Sequence, residues 1–148
     1  MYQTTITNIA NKISEKDIES LYNTYFKELF PQVRKTIKER WLRGKTPDGG
    51  RIGAYKVVNY ALFKKEKNPL AGFYMVDSTL TGSLGNKITF LMLSESEYEI
   101  FSTDEKYNDI VEEYGDYNFN LREDEKTEIS KQLTNKTILE IIKKSYYE

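Results

Sequence analysis

With 148 residues, 39% of them apolar and 30% charged, the chain is long enough for one domain with a real core and reads as a soluble globular protein. It contains no cysteine and no histidine, which excludes disulfides, thiol nucleophiles, zinc fingers and every histidine-based triad, together with the usual general base near neutral pH. The net charge is −1, yet residues 34–67 hold eleven Lys/Arg against three Asp/Glu and residues 95–128 hold thirteen Asp/Glu against three Lys/Arg. Such a split either neutralises itself within the chain or pairs head to tail with further copies.

No apolar run approaches the roughly 20 residues of a membrane span. The opening MYQTTITNIANKISEKD lacks the basic-then-apolar order of a signal peptide. The expectation is synthesis in the cytoplasm and no membrane partner. Twelve tyrosines stand out, a residue type favoured at protein–protein interfaces.

In chain order, Ser14 and Asp17 form a variant of the capping box. Ile18, Leu21, Tyr22, Tyr25, Phe26 and Leu29 then repeat at helical spacing, and Val33, Ile37, Trp41 and Leu42 continue the stripe. Pro31 predicts two consecutive helices or one kinked helix over 15–43, with Gly44 as the C-terminal cap. TPDGG is turn chemistry. A short helix is predicted within 55–65, ending before Pro69. Residues 87–102 read as a β-hairpin with SESE at its tip. A helix capped by Thr103 and closed by Gly115 follows. Asn120 is read as the cap of a last helix whose apolar positions are Leu133, Ile138, Ile141 and Ile142. The predicted class is α+β in a single domain: a long N-terminal helix region, a small antiparallel sheet and a C-terminal helix.

The chemical signals are weak. GGRIGAY is not a dinucleotide fingerprint, and in TGSLGNKIT an asparagine breaks the Gly-Lys-Ser/Thr order of a phosphate loop. These glycines read as turn formers. Glu95, Glu97 and Glu99 alternate on one face of a strand and suit a solvated or interfacial row better than a cation site. DEKYNDIVEEYGD lacks calcium-loop spacing. The segment 34–51, with Arg34, Lys38, Arg40, Arg43 and Trp41, leaves a nucleic-acid-binding accessory protein as the alternative function, although the acidic third would repel a phosphate backbone. A carboxylate hydrolase would need two facing acids, and nothing pairs them. No catalytic residue, metal ligand or cofactor is predicted, and the expectation is a protein that assembles rather than an enzyme.

A resemblance gives this a direction. The order ERWLRGKTPDGGRIGAY, NPLAGFYMVDSTLTGSL, a hairpin, then STDEKYNDIVEEYG and FNLREDE resembles small virion-morphogenesis proteins of tailed bacteriophages, the tail-completion or neck group. The matching residues are Gly50, Gly53 and Tyr55; Leu80, Thr81, Gly82 and Leu84; and Lys106, Tyr114 and Gly115. They lie within residues 35–128, and DEKYNDIVEEYGDYNFNL is similar to versions from phages of Bacteroides hosts, crAss-like phages among them.

The resemblance implies a structural virion protein in a six- or twelve-fold ring at the head–tail junction. The ring would contact portal, adaptor and tail proteins and let DNA pass through its lumen without specific binding. It implies Arg40, Arg43, Lys45, Arg51, Tyr55, Thr81, Leu84, Asp104, Glu112 and Glu113 as interface candidates. Glu95, Glu97 and Glu99 are the lumen candidates. A basic face meeting an acidic face of the next copy would favour a heterologous ring.

Overall fold

The computed structural model describes residues 15–70, 76, 83–94 and 97–147. The architecture is α+β. Helix α1 (Glu15–Leu42) leads, followed by α2 (Val58–Lys67), the single turn α3 (Ser83–Asn86), the antiparallel hairpin β1 (Ile88–Ser94) and β2 (Glu97–Ser102), α4 (Tyr107–Tyr114), a 3₁₀ turn at Asp116–Phe119, and the long α5 (Glu123–Tyr147). Ser14, Leu80, Thr81, Gly82 and Glu95 lie outside the described residues.

Helix α1 runs unbroken through Pro31. A proline inside a helix costs about 3 kcal/mol. Phe26, Leu29 and Phe30 before it, and Val33, Ile37 and Trp41 after it, are all buried. At roughly 1.5–3 kcal/mol for each buried side chain, packing outweighs the lost hydrogen bond. The helix ends as Gly44 predicts. Gly44 takes φ 64°, its N–H donates to the Trp41 carbonyl (2.8 Å), and the Lys45 N–H donates to the Arg40 carbonyl (3.2 Å). These paired bonds satisfy two carbonyls at the helix end and turn the chain sharply.

The described residues cluster into two units, and α1 and the hairpin contribute to both. The first holds 15–30, 92–94, 97–98 and 123–147. Here Tyr98 stacks on Phe26 with ring centroids 3.9 Å apart, and Phe30 meets the same ring at 5.8 Å. Burial pushes the Tyr98 hydroxyl up to about 12, with the neighbouring Tyr22 adding to the shift. Tyr22 and Thr134 share a hydrogen bond (3.4 Å), Lys136 pairs with Glu28 (3.1 Å), and the Lys136 ammonium stands 5.6 Å from the centre of the Tyr25 ring.

The inward face of α5 matches the predicted one at Leu133 and Ile141 and departs from it at Ile138 and Ile142. Leu133 and Thr137 are buried and Ile129 is half-buried, a spacing of four, whereas Ile138 is 48% and Ile142 43% exposed. The Thr137 hydroxyl donates back to the Leu133 carbonyl (2.8 Å), which satisfies its polar atom and lets a threonine occupy the buried line. Ile138 and Ile142 each stand one residue past that line, about 100° further round the helix.

The second unit holds 31–70, 76, 83–91 and 99–122. Trp41, Phe119, Ile37, Ile88 and Val33 are its most buried large side chains. Two predicted caps are corrected here. Helix α4 starts at Tyr107, so Thr103 is not its cap. Helix α5 starts at Glu123, so Asn120 is not its cap. Asn120 instead closes the 3₁₀ turn, its N–H donating to the Tyr117 carbonyl (3.0 Å). Tight i→i+3 turns absorb the residues that the 3.6-residue period assigned to longer helices. Among the described residues, no helix is long and apolar enough to cross a membrane.

Candidate assembly interface

The loop after α1 is a built turn. Lys45 and Arg51 form an antiparallel bridge. Thr46 N–H donates to Gly50 C=O (3.1 Å), and Gly49 N–H donates to Thr46 C=O (3.0 Å) at φ 86°. The Asp48 carboxylate accepts the Thr46 hydroxyl and the Gly50 N–H (3.1 Å). These bonds, the Thr46 hydroxyl first, hold its carboxyl below the usual range. The amides that a phosphate would need are taken up inside the turn, with a carboxylate among them. The turn presents Lys45 and Arg51 to solvent.

Gly53 is the close approach between this loop and the rest of the unit. A Cβ there would stand 2.7 Å from Tyr114 Cε1 and 3.5 Å from Val76 Cγ2. The Val76 N–H donates to the Gly53 carbonyl (3.0 Å). Gly115, immediately after Tyr114, adopts φ 80° and ends α4 through its N–H on the Val111 carbonyl (2.8 Å). Gly53→Ala is expected to destabilise by about 1–3 kcal/mol through overpacking. Most of that cost should disappear in a Tyr114→Ala background, a coupling that chemical denaturation of the four-member cycle measures. An unchanged cost in the double variant would mean that the ring is not what excludes a side chain.

Asp104 is an internal anchor. It is 8% exposed. Its carboxylate accepts the Ser83 hydroxyl and the Lys106 N–H (3.0 Å) and pairs with Lys87 (3.3 Å). Ser102 joins the cluster by donating its hydroxyl to the Leu84 carbonyl (2.8 Å) and accepting the Asp104 N–H (3.2 Å). The Ser83 hydroxyl, then the Lys106 amide and Lys87, hold the Asp104 carboxyl down to about 2, against an ordinary 3.8. The folded value is depressed, so the stabilisation is complete above the unfolded value and is lost as pH falls from about 4 towards about 2. The melting-temperature gap between wild type and Asp104→Asn is therefore expected to be constant at neutral pH and to close below about pH 2. A gap that ignores pH would refute the charge contribution.

Three cations of the basic segment are committed inside this unit. Arg34 Nε donates to the Ile88 carbonyl (2.9 Å), and Lys38 Nζ donates to Asn86 Oδ1 (2.6 Å) while its stem covers Gly85. Arg40 donates to the carbonyls of Asn118 (3.4 Å) and Asn120. Trp41 Nε1 donates to the same Asn118 carbonyl (3.0 Å), and its ring meets Phe119 edge-on at 4.9 Å. A long-range acceptor leaves no mark on sequence periodicity, so the sequence does not point to Asn118 or to the carbonyl role of Asn120, nor to Ser83 and Lys87 as partners of Asp104.

Of the interface candidates, Leu84 and Asp104 are therefore buried, and Arg40 is turned to backbone carbonyls. Arg43, Lys45, Arg51, Glu112 and Glu113 are exposed, and Tyr55 is half-buried with its ring on Tyr60. Of the lumen candidates, Glu97 and Glu99 alternate outward on β2, each described within its own unit. Leu91 and Leu93 on β1 are exposed as well. Among the described residues no group of three or more carboxylates is placed to hold a metal ion. In comparisons with family models, curated proteins and solved structures, no match to the chain was found.

Proposed function

We propose that the chain is a structural virion protein that forms a ring at the head–tail junction of a tailed phage, through contacts between copies and docking to portal, adaptor or tail proteins. The observation that supports this best is the meeting of Gly53 with Tyr114. Two short motifs sixty residues apart, which carry the resemblance to tail-completion proteins, belong to one packed constellation. On this reading the surrounding turn and helix ends are contact loops set on a rigid scaffold, and the role is structural rather than enzymatic.

The charges left at the surface fit the same reading. Arg43, Lys45 and Arg51 on one segment and Glu112 and Glu113 on another are exposed and opposite in sign, a complementarity that favours contact between neighbouring subunits of a heterologous ring. The alternative of nucleic-acid binding through 34–51 has less support, because Arg34, Lys38 and Arg40 are directed to groups of the chain itself.

Native mass spectrometry of the purified protein, alone and with the portal complex at low and moderate salt, tests the proposal. A six- or twelve-fold species, free or portal-bound and weakened by salt, is the expected result. A strict monomer that ignores the portal at both salts would overturn it.

A further inference from the structure

The turn after α1 carries a chemical liability along with its shape. Gly49 adopts φ 86°, a left-handed conformation that favours glycine. At Gly50 the requirement is room, because a Cβ there would stand 3.0 Å from the Thr46 hydroxyl and 3.2 Å from the Asp48 carboxylate. The turn thus sets an aspartate directly before a glycine, and Asp48, Gly49 and Gly50 are all exposed. Asp48–Gly49 is the single Asp-Gly pair of the chain, which has no Asn-Gly pair.

In such a pair no side chain shields the backbone nitrogen of the glycine, and it can attack the aspartate side chain. The Gly49 nitrogen bonds to Asp48 Cγ, the amide proton and the carboxyl OH leave together as water, and a cyclic succinimide closes. Water then adds to either ring carbonyl. One opening restores aspartate. The other leaves isoaspartate, whose main chain runs through the side-chain carboxyl carbon and is one atom longer.

Both reacting groups are engaged in the fold. The Gly49 N–H donates to the Thr46 carbonyl (3.0 Å), so a carbonyl holds the proton that the attack must release. The Asp48 carboxylate accepts the Thr46 hydroxyl and the Gly50 N–H (3.1 Å). These bonds favour its ionised form, whereas closure needs the neutral acid, since an ionised carboxylate has no group to lose as water. Thr46 therefore holds the nucleophile through its carbonyl and the electrophile through its hydroxyl. We infer that Asp48–Gly49 is an isoaspartate-forming site and that Thr46 is the positioning residue that keeps it unreacted in the folded chain. Isomerisation would lengthen the backbone between Lys45 and Arg51 and break the register of their bridge. The inference does not rest on the head–tail reading, because the turn belongs to the single chain.

Peptide mapping of the full chain tests it. The protein is held near neutral pH for weeks, native or unfolded in guanidinium, and digested with trypsin, which frees 46–51 by cutting after Lys45 and Arg51. Chromatography with mass spectrometry separates the aspartate and isoaspartate forms of that peptide. Isoaspartate is expected to accumulate at least about tenfold more slowly in the native chain than in the unfolded one, because closure waits for the turn to open. Thr46→Val keeps the side-chain shape and removes the hydroxyl. It is expected to raise the native rate about fivefold, the net worth of one hydrogen bond in keeping the turn closed, with helical circular dichroism unchanged. Thr46→Ser restores the hydroxyl and is expected to behave as wild type. The three chains should react alike when unfolded. Equal rates in the native and unfolded wild type would overturn the inference. So would an unfolded chain that forms no isoaspartate, or a native Thr46→Val that reacts no faster than wild type.

Discussion

Trp41→Ala is expected to cost about 3–5 kcal/mol, the range for removing a large buried aromatic. Trp41 is 1% exposed, packs edge-on against Phe119 and donates its indole N–H to the Asn118 carbonyl. The change leaves a cavity, removes an aromatic contact and takes one donor from a carbonyl that Arg40 still reaches at 3.4 Å. Trp41→Phe keeps an aromatic ring but loses the donor and part of the indole volume, so its cost should fall between about 1 kcal/mol, the net worth of one hydrogen bond, and the alanine value. Urea unfolding followed by circular dichroism measures both, since the chain's single tryptophan is lost with the substitution. A cost below about 1 kcal/mol for the alanine variant would contradict its place at the centre of the core.

In the other unit, Phe26→Ala is expected to cost a similar amount, about 3–5 kcal/mol. Phe26 is buried between Phe30 on its own helix and the stacked ring of Tyr98. Phe26→Leu retains most of the apolar volume and loses the ring contacts, so it should cost less, with the aromatic pairing accounting for about 0.5–1.5 kcal/mol. The same urea experiment separates volume from ring geometry. Equal losses for the two variants would mean that the stack carries the stability and the cavity does not.

The sequence made the regular parts legible and the irregular parts illegible. Phe26, Val33, Ile37 and Trp41 announce a long buried stripe because helical periodicity survives a proline when both flanks are packed. Gly44 announces the end of α1 because a positive φ favours glycine. Within 103–123 the helix and its Gly115 end are legible, but the two caps are not, because Asp104 and Asn120 work through side-chain anchoring and a 3₁₀ turn, neither of which has a 3.6-residue signature. The face of α5 is legible at Leu133 and Ile141 but not at Thr137, which hides its hydroxyl on its own helix and then packs like an apolar residue. The least legible feature was the role of the basic segment. Eleven cationic residues in a row of thirty-four look like a surface charge, and only the fold reveals which of them end on distant carbonyls.

Those carbonyl contacts give the second unit two kinds of fastening with different sensitivities. A peptide oxygen has no proton to gain in the range where carboxylates titrate, and a guanidinium keeps its charge throughout. Acidification therefore releases the Lys87–Asp104 pair while Arg34 still holds Ile88 and Arg40 still holds Asn118 and Asn120. The end of α1 is riveted to the body of the unit by bonds that acid does not loosen, and the segment around Ser83 and Asp104 is a catch that acid releases only towards about pH 2.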